Sequence, residues 1–160
     1  MTHSLVLLLA LLIGVVAGLR ALTAPAVVAW ASALQWINMD GTWASWLDHP
    51  VTVGLLTVLA VTELVVDVLP SAPNRTGAVQ FAARLAAGAF AGAVIGTAWG
   101  YPWGALGAGI IGAALGTMGG YQARTRLTAA VGGRDLPVAL LEDMIAILGG
   151  FGIAAVTAIL

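Results

Sequence analysis

The chain has 160 residues, 61% of them hydrophobic and 8% charged, with a mean hydropathy of +1.02. A soluble domain carries about 25% charged residues, so this composition cannot furnish a water-facing surface and implies a lipid-embedded protein. Six basic residues, all arginine, nearly cancel seven acidic ones and leave no basic patch for nucleic acid, while the lack of cysteine removes disulfides, thiolate metal sites and thiol nucleophiles.

Spanning about 30 Å of hydrocarbon takes roughly 20 apolar residues. Five such runs are legible, at 4–22, 50–69, 76–99, 103–123 and 136–160. The expected fold is therefore all-α, a polytopic helical membrane protein with about five transmembrane helices in a single domain over 1–160. The first run has no Lys or Arg ahead of its apolar core, and Arg20 interrupts the approach to a cleavage site, so it is expected as a retained helix and not a signal peptide.

Gly18-Leu19-Arg20-Ala21-Leu22-Thr23-Ala24-Pro25 then interrupts the pattern before a second apolar stretch that ends at Ile37. Pro25 suits the first turn of a new helix, with Thr23 or Ala24 as its cap. Residues 23–37 are expected either as a re-entrant half-helix or as an interfacial amphipathic helix anchored by Trp30 and Trp36. Both arrangements place a helix N-terminus beside Arg20, which favours an anion or a lipid head group, with Arg20 and Thr23 as the candidate residues.

The separators Asp40-Gly41, Pro70-Ser71-Ala72-Pro73-Asn74, Gly100-Tyr101-Pro102 and Gly132-Gly133-Arg134-Asp135 are turn chemistry. Arg75 falls in one of these loops and Arg124, Arg126 and Arg134 in another, whereas the opposite loops hold Asp40, Asp48 and the aromatic residues Trp36, Trp43, Trp46, Trp99, Tyr101 and Trp103. The arginine bias and the aromatic belt together predict a multi-pass protein with a cytoplasmic N-terminus, and the Arg-only, Ala- and Gly-rich composition is associated with a bacterial source, so the bacterial inner membrane is the expected location. This topology puts His3 and His49 near opposite ends of the bilayer.

Small residues recur every fourth position. Arg84, Gly88, Gly92, Gly96 and Gly100 form one stripe, Gly104, Ala108, Gly112, Gly116, Gly120 and Arg124 a second, Glu142, Ala146, Gly150 and Ala154 a third, and Ala10, Gly14 and Gly18 a fourth. Such stripes let helix backbones approach closely. Four of them exceed what five helices of one chain need to pack, so self-association into a homo-oligomer is expected.

The stripes also aim charge inward. At 1.5 Å per residue, Glu63, Arg84, Glu142 and Asp143 fall about 10 Å inside the arginine-rich boundary, with Asp67 and Arg124 nearer the surface. Glu63 and Asp67 share one helix face and repel unless a cation lies between them; Arg84 is the expected cation. Four carboxylates facing two guanidiniums leave an excess of negative charge, which predicts a bound cation, water or a retained proton. Gly14–Val28 and Gly116–Val131 share a glycine pair, an Arg and a Thr-Ala, an echo expected to relate oppositely directed helices as an inverted repeat.

Enzyme chemistry has little to stand on. The chain has no lysine, no HExxH and no phosphate-binding glycine loop, and the neighbours Glu142 and Asp143 point about 100° apart on a helix. No catalytic residue, metal or cofactor is expected.

Gly18-Leu19-Arg20-Ala21-Leu22-Thr23, the run from Glu63-Leu64-Val65-Val66-Asp67 through Pro70-Ser71-Ala72-Pro73-Asn74-Arg75-Thr76, and Leu141-Glu142-Asp143 resemble the signatures of small bacterial integral membrane proteins grouped as domain-of-unknown-function family 4126. The resemblance covers nearly the whole chain and implies membrane location without an activity. Val68 departs from the lysine that similar sequences tend to carry, so no cation is implied there. The functional expectation is a small transporter or channel with a cation or proton site in the polar layer. The alternatives are a membrane scaffold whose ion pairs fix helix packing, an anion or head-group site at Arg20, and, last, a lipid-modifying enzyme. The expected partners are the lipid bilayer, further copies of the chain and a small ion or solute.

Overall fold

The computed structural model describes residues 1–68 and 77–159, with Val68 as backbone only. The turn at 70–74, Arg75 and Thr76 lie outside the described residues. Among the described residues six α-helices follow one another: α1 (His3–Leu19), α2 (Thr23–Ala33), α3 (Pro50–Val68), α4 (Ala78–Ala98), α5 (Pro102–Ala130) and α6 (Asp135–Ile159), with a 3-10 turn at Ser45–Asp48 before α3. No strand occurs among the described residues. Pro50 and Pro102 open their helices, where a missing N–H breaks no hydrogen bond. Gly100, at φ +78°, makes the turn between α4 and α5.

The architecture is that of a helical membrane protein. Among the described residues three helices, α3, α4 and α6, are long and apolar enough to cross a membrane, with mean hydropathies of 1.7, 1.5 and 1.8. The longest helix, α5, has 29 residues, or about 43 Å of rise, and is diluted by glycine. The short ones, α1 with 17 residues and α2 with 11, behave differently from the expected first span.

α1 does not begin at the end of the molecule opposite the tryptophan loops. The His3 ring lies 4.4 Å from that of Tyr101 in the α4–α5 turn. Trp43 reaches the same end, donating from Nε1 to Thr97 Oγ1 at 2.9 Å and standing edge-on to Phe90. From there α1 descends alongside α5, with Leu7 near Gly104, Gly14 against Gly109 and Gly18 against Gly116. The chain breaks at Arg20–Leu22 and returns as α2, so that Val27 packs on Gly150 and Trp30 bonds Thr57. α1 and α2 form a re-entrant helical hairpin with its tip near the arginine-rich end.

Three expectations change accordingly. His3 and His49 belong to the same end, so a chain start on the side opposite the tryptophan loops is incorrect. The helices of the internal echo, α1 and α5, run parallel, which removes the inverted repeat. An interfacial 23–37 segment is also excluded, because nine of the eleven α2 residues are buried and Val27, Val28 and Ala29 are at most 1% exposed. The common cause is the reversal at Arg20, which hydropathy registers only as a pause.

The glycine stripes are the glue of this arrangement. A Cβ at Gly88 would come 2.6 Å from Gly109 O, one at Gly92 2.5 Å from Ala105 O, and one at Gly18 2.6 Å from Thr117 N. Gly112 lies against the backbone of Leu11, Gly116 against that of Val15, and Gly96 against Tyr101. Backbone-to-backbone approach of this kind drives helix association in lipid, and here it binds α1, α5 and α4 together. Gly120 abuts the Leu19 side chain and Gly150 that of Val27. The stripes are filled within one chain and supply no argument for a second copy.

Candidate functional site

A helix broken inside a bundle exposes its last carbonyls and its first amides where water is scarce, and each must find a partner. At the hairpin tip the partners are charged side chains of sign opposite to the helix end they meet. Arg84 of α4 donates from Nη1 to Gly18 O at 2.5 Å and Leu19 O at 2.9 Å, and Thr117 Oγ1 adds a bond to Gly18 O at 3.2 Å. On the returning side of the tip, the N–H of Ala21 donates to Glu63 Oε1 at 2.8 Å and that of Leu22 to Glu63 Oε2 at 2.7 Å. A guanidinium thus caps the negative end of α1 and a carboxylate the positive end of α2, the favourable orientation for both helix dipoles.

Between the two caps lies Arg20. Its backbone is extended (φ -138°, ψ 107°), which swings it out of α1, and the whole residue is 0% exposed. Its Nε and Nη2 both reach Asp143 Oδ1 of α6 at 2.5 Å, and Nη1 pairs with Asp67 of α3. A cation absent from the expected polar layer therefore stands against Asp67: Arg20 pairs with it, while Arg84 bonds the α1 carbonyls. Sequence reasoning left Arg20 out of the polar layer because it treated α1 as a complete crossing. The signal available was the arginine itself, buried in an apolar run with no partner on its own helix.

Arg124 organises a second cluster toward the end of the bundle. It pairs with Asp135 from Nη2 and at 2.7 Å from Nε, and its Nη1 lies 3.2 Å from Glu142 Oε2. Glu142 is 8% exposed, whereas the Asp135 side chain is 56% exposed. Asp135, the first residue of α6, is the acid that sequence reasoning missed, because it reads as part of a turn. Glu142 and Asp143, pointing apart as expected for helix neighbours, separate into the two clusters: Asp143 serves Arg20 and Glu142 serves Arg124.

Thr23 is the other departure at the tip. The helix begins at Thr23 with Leu22 as its cap and no side-chain cap bond, so Thr23 is not the expected cap. Glu63 occupies the amides that a threonine cap would take. The position where an anion was expected, beside Arg20 at the start of α2, is filled by this carboxylate of the chain itself.

Cavities lie beside these elements and at the far end of the bundle. One of about 270 Å³ is lined by Ala21, Leu22, Glu63, Asp67, Gln80 and Ala83, so it reaches the tip and both α3 carboxylates. Another, of about 130 Å³, runs between α2, α3 and α6 and is lined by Thr23 at one end and Trp30 at the other. An apolar cleft of about 420 Å³ lies at the opposite end, between Trp43, Phe90 and Trp103. Among the described residues no group of three or more His, Cys, Asp or Glu is placed to hold a metal ion.

No curated protein and no solved structure matches the chain. A family does: the residues that build the hairpin tip and both charge clusters all fall within 7–159, the stretch matched by the model of a domain of unknown function, DUF4126, and the chain belongs to that family.

Proposed function

We propose that the protein is a small inner-membrane transporter or channel, with its arginine-rich end in the cytoplasm and a proton or cation site at the tip of the α1–α2 hairpin. The observation that carries this reading is Glu63. Both of its oxygens accept tip amides, and it also forms the wall of the 270 Å³ cavity with Asp67 and Gln80. Discontinuous helices whose ends meet coupling ions recur in transporters, and intramembrane charge marks function by default. A proton is favoured over a metal ion, since one carboxylate accepts a proton without a cage of ligands. Protonating Glu63 removes the charge that holds the α2 amides and loosens the tip where the cavity meets it. The reading includes no catalytic step.

A second reading has its own support. Arg20, fully buried between Asp67 and Asp143, is the arrangement of a static brace, and a scaffold would use it to fix which helices pack together. Proteoliposomes carrying a pH-sensitive dye separate the two readings. For a transporter, the wild type moves protons or a common cation, and Glu63→Gln folds but loses that flux. Wild-type liposomes that pass neither protons nor any common cation would overturn the transport reading and leave the brace.

A further inference from the structure

We propose that the groove between α2, α3 and α6 binds one diacyl phospholipid, with an ester carbonyl on Thr23 and its acyl chain laid along α2 to Trp30. This inference is independent of transport. It begins from a hydroxyl that lacks what its counterparts have. Thr57, Thr62, Thr97, Thr117 and Thr125 all donate to the carbonyl four residues back, at 2.7 to 2.8 Å. For Thr23 that carbonyl is Leu19 O, across the helix break and already bonded by Arg84. Among the described residues Thr23 Oγ1 has no hydrogen-bond partner, and it is buried in a residue 4% exposed.

The 130 Å³ groove that Thr23 heads is otherwise apolar. Its other polar atoms, Trp30 Nε1 and Thr57 Oγ1, satisfy each other at 2.9 Å, and Ala26, Ala60, Leu64 and Phe151 complete the walls. Val61, 52% exposed, and Trp30, 38% exposed, form rims that face the bilayer. What enters is therefore drawn from lipid, with one oxygen at the Thr23 end and hydrocarbon along the rest. Depth selects the oxygen. The tip sits five residues from the end of α3 at Glu63 and eight from the start of α6 at Asp143, or about 8 to 12 Å from those helix ends. With interfacial layers of several Å on each side of a hydrocarbon core of about 30 Å, that is the level at which acyl esters begin. Trp30 lies seven residues further along α2, about 10 Å deeper.

Native mass spectrometry of the purified protein, titrated with dioleoyl phosphatidylcholine or with its dialkyl ether analogue, tests the assignment. The ether lipid keeps the chains and head group and lacks the carbonyl. The expected result is a single tight adduct favouring the ester by about two- to tenfold, the equivalent of one hydrogen bond. Thr23→Val should bind both lipids alike, at the level of the ether, and Ala60→Phe, which fills the groove, should lose the tight adduct with either. Equal binding of ester and ether by the wild type, or an ester preference that survives in Thr23→Val, would overturn the proposal. That comparison decides the matter even if Ala60→Phe does not fold.

Discussion

Replacing Arg20 by methionine keeps most of the side-chain volume and removes the charge that Asp67 and Asp143 share. Both carboxylates then remain in a site where Arg20 is 0% exposed and Asp143 8% exposed, so water compensates little. Breaking a buried pair from one side costs about 3 to 5 kcal/mol, and here one guanidinium serves two carboxylates, which places Arg20→Met within that range. The penalty belongs to the buried carboxylates that lose this partner, not to the loss of the guanidinium itself. Adding Asp67→Asn and Asp143→Asn should therefore restore most of the stability, since fully neutralised buried sites are often as stable as the original pair. Thermal or denaturant unfolding in mild detergent, followed by tryptophan fluorescence, measures both variants. A loss below about 1 kcal/mol for Arg20→Met, the range of solvent-exposed pairs, would refute the buried clamp, as would a triple variant no more stable than the single one.

Two further outcomes follow from the hairpin and from the glycine packing. In a chain without cysteine, single cysteines at Thr2 and Asp40 should label from the same side of the membrane and one at Gly133 from the other; labelling of Thr2 and Asp40 from opposite sides would rule out the re-entrant hairpin. Gly109→Leu drives a side chain into the Gly88 backbone and should destabilise the fold by at least about 1 to 3 kcal/mol. Gly107→Leu and Gly149→Leu, which meet nothing within 4 Å, should change stability by about 0.5 kcal/mol or less, so equal effects in the two groups would contradict the helix contacts described here.

Much of the fold was legible because hydropathy and small-residue spacing are local signals. The runs at 50–69 and 76–99 anticipate α3 and α4 to within two residues at each end, and the stripe glycines Gly14, Gly88, Gly92, Gly112 and Gly116 lie against neighbouring backbones. The direction of α1 was not legible. A 17-residue apolar helix reads as a span whether it crosses or turns back, and the deciding contacts, His3 on Tyr101 and Arg20 on Asp143, join residues about a hundred positions apart. The same error hid one counter-charge: with Arg20 assigned to the far side, it could not be offered as a partner for Asp67. Glu63 as a cap was hidden because its partners are backbone amides, which carry no residue identity.

The two clusters also revise the argument from charge excess. With Arg20 and Asp135 included, five carboxylates, those of Glu63, Asp67, Asp135, Glu142 and Asp143, meet three guanidiniums, those of Arg20, Arg84 and Arg124. Glu63 is met by two amides at a helix N-terminus, and Arg84 turns to carbonyls at a helix C-terminus. The balance at the tip therefore runs through helix ends as well as through ion pairs. A bundle that needed only ion pairs to fix its packing could keep α1 unbroken and spare itself both caps. Breaking the helix creates orphan backbone groups at the depth of the charged layer, and these groups hold Glu63 by about the strength of a charge-assisted cap, 0.5 to 2 kcal/mol. That is small beside the clamp on Arg20. On the proposed transport reading, a change at Glu63 would act on the weaker of the two fastenings and leave the Arg20 clamp in place.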